Sequence, residues 1–269
     1  IGLLPLFLLL GAANTYAQTT TWTGSISTDW NVAGNWDNGV PGSGSTAIIT
    51  NFSNKPILNT TTTIRNLQLG SYWPGAGITY LTVITGGSLT ITNQLKFDGN
   101  GGSLHIDGGT VNHTGTSVSW GSNVNRYIEM TGGSFTTNAN FEIEGGNNTS
   151  QAGFSVGNGT ATFNGDLTVN SSSKWFDAGS GTISVAGNLE VGSGSKFELG
   201  AADLTITGTT TINGTFYGDD GTATFDGATD IMSGGVLNLD TGTLIFDAKL
   251  NVKSNGTANL GSGTVNIKG

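Results

Sequence analysis

The few side chains of this sequence that could carry acid–base or metal chemistry stand in pairs. His105 and Asp107 alternate with apolar residues, so both should point outward from one strand, about 7 Å apart. Such a pair could begin a metal site or an acid–base site, but no third ligand is visible. Glu142 and Glu144 share an outward face in the same way. They are a candidate acid pair, yet paired carboxylates cleave glycosides only when they flank a substrate in a cleft.

Calcium has only weak support in the sequence. The stretch "DGNGGSLHIDGG" from residue 98 is similar to a glycine-and-aspartate calcium repeat but lacks its fixed nonapeptide spacing. The sequence thus allows Ca²⁺ without a definite motif for it, predicts no cofactor and leaves any metal site undefined.

Composition excludes several classes of partner. The chain has 269 residues, 45 of them glycine; only 10% are charged, and the formal net charge is −9. Nucleic-acid binding needs a basic face that releases counterions from phosphate, and nine Lys and Arg residues do not provide one. Cysteine is absent, so disulfides and thiolate metal sites do not contribute.

The segment 1–17 has the features of a secretory signal. An apolar run from Leu3 to Leu10 is followed by small and polar residues that end at Ala17. The basic start of such a signal is missing, so the sequence is expected to begin inside it. The run is shorter than the roughly 20 residues of a membrane span. We predict an exported chain from Gln18, secreted or at the cell surface, with no membrane span.

The elements that would position these side chains repeat along the chain every 19 to 26 residues. Each period holds three short stretches in which apolar and polar residues alternate, separated by Gly, Ser or Asn corners. Corners this short leave no room for crossover helices. The pattern predicts an all-β fold, a parallel β-helix (β-solenoid) with three short strands per coil. Parallel strands are joined by right-handed crossovers in nearly all proteins, so we expect a right-handed helix.

Residues 45–269 are assigned to the solenoid, which ends in mid-coil and is expected to continue in a longer protein. Within it, Val185 should point inward and Thr182 outward. His113 takes a place that other coils fill with apolar residues such as Ile91 and Phe163, which predicts a hydrogen-bonded core histidine or a shifted register rather than a metal ligand.

Residues 18–44 lie outside the repeat and hold Trp22, Trp30 and Trp36. One interpretation is an N-terminal cap whose tryptophans cover the apolar end of the first coil and its unpaired strand edge. The alternative is a sugar-stacking site, which makes the three tryptophans candidate glycan contacts.

The spacing W-T-G-x-x-S-T-D-W-N-x-x-G-N-W-x-x-G-V-P, followed by coils such as "GTATFNGDLTV", carries a resemblance. It resembles large secreted and cell-surface β-helix proteins of Gram-negative bacteria, of which many leave by type IX secretion and others are adhesin-like. The resemblance covers nearly the whole chain, but its motif is structural and transfers no catalytic residue. Type IX substrates end in a sorting domain, whereas this sequence ends at "GTVNIKG", so the export route stays open.

Outward hydroxyls form one further pattern. Flat Thr-x-Thr arrays order water in some ice-binding solenoids, and Asp203, Ile245 and Asn266 interrupt the array here. Threonine also favours exposed strands for its β-branching and its cross-strand hydroxyl bonds. The residues of this candidate ice-binding face are Thr160, Thr162, Thr182, Ser184, Thr222 and Thr224.

Together these features favour an exported structural or adhesive cell-surface module without catalytic activity, whose partner is an extracellular glycan or protein. The first alternative is a glycan-binding or polysaccharide-degrading β-helix, which would need a groove lined by carboxylates and aromatics on one sheet. The second alternative is ice binding through the threonine face. One scaffold hosts many functions, so the fold cannot decide among them.

Overall fold

The computed structural model describes residues 18–50, 53–70, 79–98, 101–120, 126–144, 152–170 and 174–269. The predicted signal segment, 1–17, lies outside the described residues. A short 3-10 helix spans Ala33–Asn35. The described strands are β1 Thr19–Thr21, β2 Thr46–Ile49, β3 Ile57–Leu58, β4 Thr61–Leu69, β5 Thr79–Ile84, β6 Ser88–Phe97, β7 Gly102–Asp107, β8 Thr110–His113, β9 Ser117–Trp120, β10 Arg126–Met130, β11 Ser134–Thr137, β12 Phe141–Ile143, β13 Ala152–Ser155, β14 Thr160–Phe163, β15 Leu167–Val169, β16 Lys174–Asp177, β17 Thr182–Val185, β18 Leu189–Val191, β19 Lys196–Glu198, β20 Asp203–Ile206, β21 Thr210–Ile212, β22 Thr215–Tyr217, β23 Thr222–Phe225, β24 Thr229–Ile231, β25 Val236–Asn238, β26 Thr243–Phe246, β27 Leu250–Val252, β28 Thr257–Asn259 and β29 Thr264–Ile267.

These strands form three sheets. The first sheet runs β1-β2-β4-β6-β8-β11-β14-β17-β20-β23-β26-β29, with β9 beside β6; the second runs β3-β5-β7-β10-β13-β16-β19-β22-β25-β28; the third runs β12-β15-β18-β21-β24-β27. Neighbours within a sheet are parallel and come from successive coils, as in the pairs β14–β17, β15–β18 and β16–β19. The predicted all-β solenoid with three strands per coil is confirmed, with about nine coils.

The inward side chains form a continuous core along the solenoid. Val185 is fully buried, and its register partners in the neighbouring coils are Phe163 and Ile206. Thr182, three residues earlier on the same strand, is exposed. The alternation predicted for this strand is therefore confirmed.

Stacked phenylalanine rings show how one coil sits on the next. The ring of Phe197 lies 4.6 Å from that of Phe176 and 5.0 Å from that of Phe216, and both pairs are within 7° of parallel. Phe225 and Phe246 stack in the same way, 4.8 Å apart and 9° from parallel. These distances match the spacing of about 4.8 Å between paired strands. Successive coils in this part of the chain therefore stack one strand spacing apart, with like side chains next to one another.

Polar ladders hold the corners between the sheets. The Asp166 carboxylate accepts hydrogen bonds from the backbone N–H of Asn188 at 2.8 Å and from its amide at 3.1 Å. Asn188 Oδ1 in turn accepts from the backbone N–H and the hydroxyl of Thr209, at 2.9 and 2.8 Å. Backbone groups that turn away from the sheets thus find partners in the next coil.

His113 is a core residue, as predicted. Its side chain is fully buried, with Nδ1 2.9 Å from Thr137 Oγ1 and Nε2 3.1 Å from the carbonyl oxygen of Asn93. Burial lowers the pKa of His113 below its ordinary value, although the hydrogen bond to Asn93 acts in the opposite direction.

The segment 18–44 closes over the first coils. Trp22, Trp30 and Trp36 are at most 4% exposed and belong to the same hydrophobic core as the coils. Trp36 meets the other two rings edge to face, at 5.1 and 4.7 Å. Trp22 Nε1 donates to the carbonyl oxygen of Asn54 at 2.7 Å. Burial leaves no ring face open to a sugar, which favours the capping interpretation over a sugar-stacking site.

Candidate functional site

The outward side chains of the second sheet include aromatic rings, which the paired outward positions described for the other two sheets lack. The strand register places them in two columns, one in line with Tyr80, Tyr127 and Trp175 and one in line with His105, Glu129 and Asp177. We call this surface the aromatic–carboxylate face. Its aromatic, charged and imidazole members are Tyr80, His105, Tyr127, Glu129, Trp175, Asp177, Lys196, Glu198 and Tyr217, and small or uncharged residues such as Thr82, Ser155 and Thr215 share the columns.

A flat indole dominates the middle of this face. Gly153 lies between Tyr127 and Trp175 in the first column. A Cβ atom added at Gly153 would lie 2.5, 2.7 and 2.8 Å from three atoms of the Trp175 ring system. Three nearly equal distances mean that the face of the indole, rather than its edge, covers the glycine. The other face of the partly exposed ring is therefore turned to solvent.

The indole also leans toward the tyrosine of an earlier coil. Tyr127 and Trp175 are two coils apart, which corresponds to about 9.6 Å between strands. Their ring centroids are nevertheless only 6.3 Å apart, at an interplanar angle of 38°. Gly153 permits this approach because it has no side chain in the path of the ring. We call these three residues the Trp175 shelf.

A shallow hollow lies beside the shelf, toward the N-terminal coils. Its volume is about 190 Å³, and Thr82, His105, Ile106, Asp107, Glu129 and Thr131 line it. His105 Nε2 is 3.7 Å from a carboxylate oxygen of Glu129, its register partner in the next coil. The Thr131 hydroxyl donates to Asp107 at 2.6 Å. We call this the His105 hollow.

Aromatic stacking orders one wall of the hollow. The Tyr80 ring stacks on the His105 imidazole, 4.8 Å away and 7° from parallel. The ammonium group of Lys55 lies 5.8 Å from the centroid of the Tyr80 ring, within the range of a cation–π contact. A lysine, a tyrosine and a histidine from three successive turns of the chain are thus held in one stack.

Protonation states in this region follow from burial. Desolvation lowers the pKa of His105, and the charge of Glu129 only partly opposes it, so the imidazole is neutral at pH 7. Burial raises the pKa of Tyr127, which keeps its phenol protonated. A neutral imidazole offers one donor and one acceptor, and a carboxylate offers acceptors only. The hollow therefore presents hydrogen-bonding groups suited to hydroxyls.

The structure adds one residue to the pair that the sequence singled out in this region. His105 and Asp107 both point outward, as predicted, and the register brings Glu129 to His105 from 24 residues away. Among the described residues, no group of three or more His, Asp or Glu side chains is placed to hold a metal ion. The described residues therefore offer no cluster of ligands for the Ca²⁺ ion that the sequence allows.

Glu142 and Glu144 lie at one end of the third sheet. Glu142 is on β12 and accepts a hydrogen bond from the Asn170 amide at 2.9 Å. Partial burial and the negative charge of Glu142 raise the pKa of Glu144. Both acids project from one stretch of chain, so the structure does not place them on opposite sides of a substrate.

The outward hydroxyls predicted from the sequence all lie on the first sheet, in two columns. Thr160 pairs with Thr182 and Thr162 with Ser184, and both columns continue through β20 to Thr222 and Thr224. The array also extends toward the N-terminus, through Ser134 and Thr136, Thr110 and Asn112, Ser88 and Thr90, and Thr61 and Thr63. Ice binding by this surface stays a prediction.

Sequence reasoning missed the aromatic–carboxylate face, although a signal for it exists. The third strand carries aromatic residues at outward positions in some coils, as at Trp175 and Tyr217, whereas the first strand carries hydroxyls. Long and unequal corners before residue 159 hide which of these outward positions are neighbours. Once the register is known, Tyr80 and Tyr127 join the same surface.

Comparison with known proteins adds little to this description. No family model matches the chain, and no curated protein matches it significantly. A solved structure described as "Crystal structure of TibC-catalyzed hyper-glycosylated TibA55-350 fragment" is 19% identical, with 92% of this chain and 97% of that chain covered and a TM-score of 0.22. A likeness this weak carries no functional inference. Separately, none of the described residues belongs to a helix that could cross a bilayer.

Proposed function

We propose that the protein is an exported adhesive module of the cell surface and has no catalytic activity. One observation carries the proposal: a single side of the solenoid concentrates partly exposed aromatic rings and carboxylates in register. Aromatic residues with polar tips are typical of contact surfaces, because they supply apolar area and hydrogen bonds together. Parallel stacked coils hold these groups at fixed spacing.

The arrangement of the acids supports binding rather than turnover. Glycoside cleavage requires two carboxylates on opposite sides of the scissile bond, about 5 to 9.5 Å apart. Glu142 and Glu144 project from the same stretch of chain instead. In the His105 hollow, the imidazole and the Glu129 carboxylate lie side by side on one sheet. Neither pair flanks a substrate bond, and Asp107, the other acid of the hollow, accepts a hydrogen bond from the Thr131 hydroxyl.

An adhesion assay tests this proposal. Beads coated with residues 18–269, which contain every described element, are washed over immobilised cells, extracellular matrix and purified polysaccharides. We expect retention on at least one of these surfaces, and no new reducing ends from the polysaccharides with or without Ca²⁺. If the beads adhere to none of these surfaces, the result contradicts the adhesive function. Release of reducing ends that Glu142→Gln abolishes would show that the module is an enzyme.

A further inference from the structure

We propose that the aromatic–carboxylate face binds a neutral polysaccharide chain, with one sugar ring on the Trp175 shelf and another in the His105 hollow. This inference rests on the proposed adhesive function and names the ligand and its site. Bound in this way, the polysaccharide chain runs parallel to the axis of the solenoid.

The Trp175 shelf has the shape that a sugar ring requires. One face of a pyranose presents a row of C–H bonds, which pack against the flat face of an aromatic ring. The indole lies face down over Gly153, so its outer face is flat and directed away from the sheet. Tyr127 borders it at 6.3 Å between centroids. Asp177, two residues beyond Trp175, lies on the same side of β16 and can accept hydrogen bonds from ring hydroxyls.

The His105 hollow provides a second contact at a suitable distance. Its volume of about 190 Å³ is of the size of one sugar unit. The Trp175 ring lies over Gly153 on β13, and His105 is on β7, so the shelf and the hollow lie about two coils apart. At about 4.8 Å per coil, this distance is about 10 Å, the length of about two sugar units in an extended chain. One polysaccharide chain can therefore reach both.

Charge selects a neutral ligand over an acidic one. Asp107 and Glu129 line the hollow, and Asp177 and Glu198 continue the second column, so four carboxylates outnumber the two lysines described on this side, Lys55 and Lys196. The imidazole of His105 adds no compensating charge, because burial lowers its pKa. Uronate or sialylated polymers would bring their own carboxylates against these groups, whereas the hydroxyls of a neutral glycan donate to them.

Binding measurements with soluble polysaccharides test the inference. Titration calorimetry compares neutral polymers (mixed-linkage β-glucan, xyloglucan, mannan and galactomannan) with acidic ones (polygalacturonate and alginate). We expect the wild-type protein to bind at least one neutral polymer and to bind it at least tenfold more tightly than either acidic polymer. Binding to none of the neutral polymers, or a preference for an acidic one, overturns the proposal.

Two substitutions locate the site. Trp175→Ala removes the indole and should weaken binding at least tenfold. Gly153→Ala keeps every polar and aromatic group but forces the indole off the sheet, because the new Cβ would meet it at 2.5 Å. We expect at least a threefold loss. Thr162→Ala, in the same coil on the first sheet, is the matched control and should change affinity less than twofold.

The outcomes separate this inference from the proposed function. Circular dichroism and thermal unfolding of each variant confirm that the fold is intact, and Gly153→Ala provides an independent test if Trp175→Ala is unstable. Unchanged affinity in either variant contradicts the shelf. If coated beads still adhere to cells while no neutral polysaccharide binds, the result supports the proposed adhesive function and contradicts the proposed glycan site.

Discussion

Replacing Phe197 with alanine should remove a large part of the local stability of the solenoid. The ring is fully buried, with Phe176 at 4.6 Å on one side and Phe216 at 5.0 Å on the other, both nearly parallel. Removing a buried phenylalanine side chain typically costs about 3 to 5 kcal/mol, including the cavity left behind. Because coils cover Phe197 on both sides and cannot collapse independently, we expect a cost of about 4 kcal/mol.

The effect should be confined to a few coils. In a solenoid each coil contacts only its neighbours, so stability is close to a sum of coil and interface contributions. Amide hydrogen exchange should therefore accelerate in β16, β19 and β22 and much less in β4 and β6, which lie several coils away. Chemical denaturation gives the change in unfolding free energy.

Lys196→Ala provides the control, because Lys196 is exposed and immediately precedes Phe197. A surface substitution of this kind should change stability by no more than about 0.5 kcal/mol. Equal shifts for the two variants would refute the assigned orientation of this strand. Uniform acceleration of exchange along the whole chain would refute the nearest-neighbour description of the solenoid.

Three further predictions concern single residues. Val185→Asp places an unpaired charge in the core and should cost several kcal/mol in chemical denaturation, whereas Thr182→Asp on the outer face should be nearly neutral; equal costs would contradict the register. The pKa of His113 is lower in the folded chain than in the unfolded chain. As the pH falls below about 6.5, the unfolded chain therefore takes up a proton on this histidine before the folded chain does, and the unfolding free energy decreases. His113→Ile should therefore reduce the fall in unfolding free energy between pH 7 and pH 5, and an unchanged fall would show that His113 does not contribute. Asn188→Ala should cost about 1 kcal/mol in thermal unfolding by breaking the ladder to Thr209, and no change would show that the ladder is not stabilising.

The sequence predicts the coil well where its spacing is regular. From Thr160 to Thr264, register partners on the first sheet are 19 to 22 residues apart, and the inward residues of this region could be assigned in advance. Before Gly159 the corners are longer and unequal. Glu129 could not be assigned to His105 there, because a shift of one coil or one residue changes the partner.

The repeat spacing of the sequence does not predict contacts that depend on side-chain packing. A glycine within a strand pattern indicates a weak or bent strand. Gly153 instead leaves the space in which the Trp175 ring packs against the sheet. The cap shows the same limit. Tryptophans in an irregular segment could cover a core or meet a sugar, and only the fold of the chain around Trp30 and Trp36 reveals that they are buried.

The near-parallel stacking of Phe176, Phe197 and Phe216 has a consequence for how such a chain can evolve. The three rings are also register partners, so each coil adds one strand to the same sheet and places its ring next to that of the coil before. Duplication of a single coil would therefore lengthen the solenoid while each outward column of side chains stays on its own sheet. The chain can change its reach in steps of one coil, about 4.8 Å, and still present the same side to whatever it contacts.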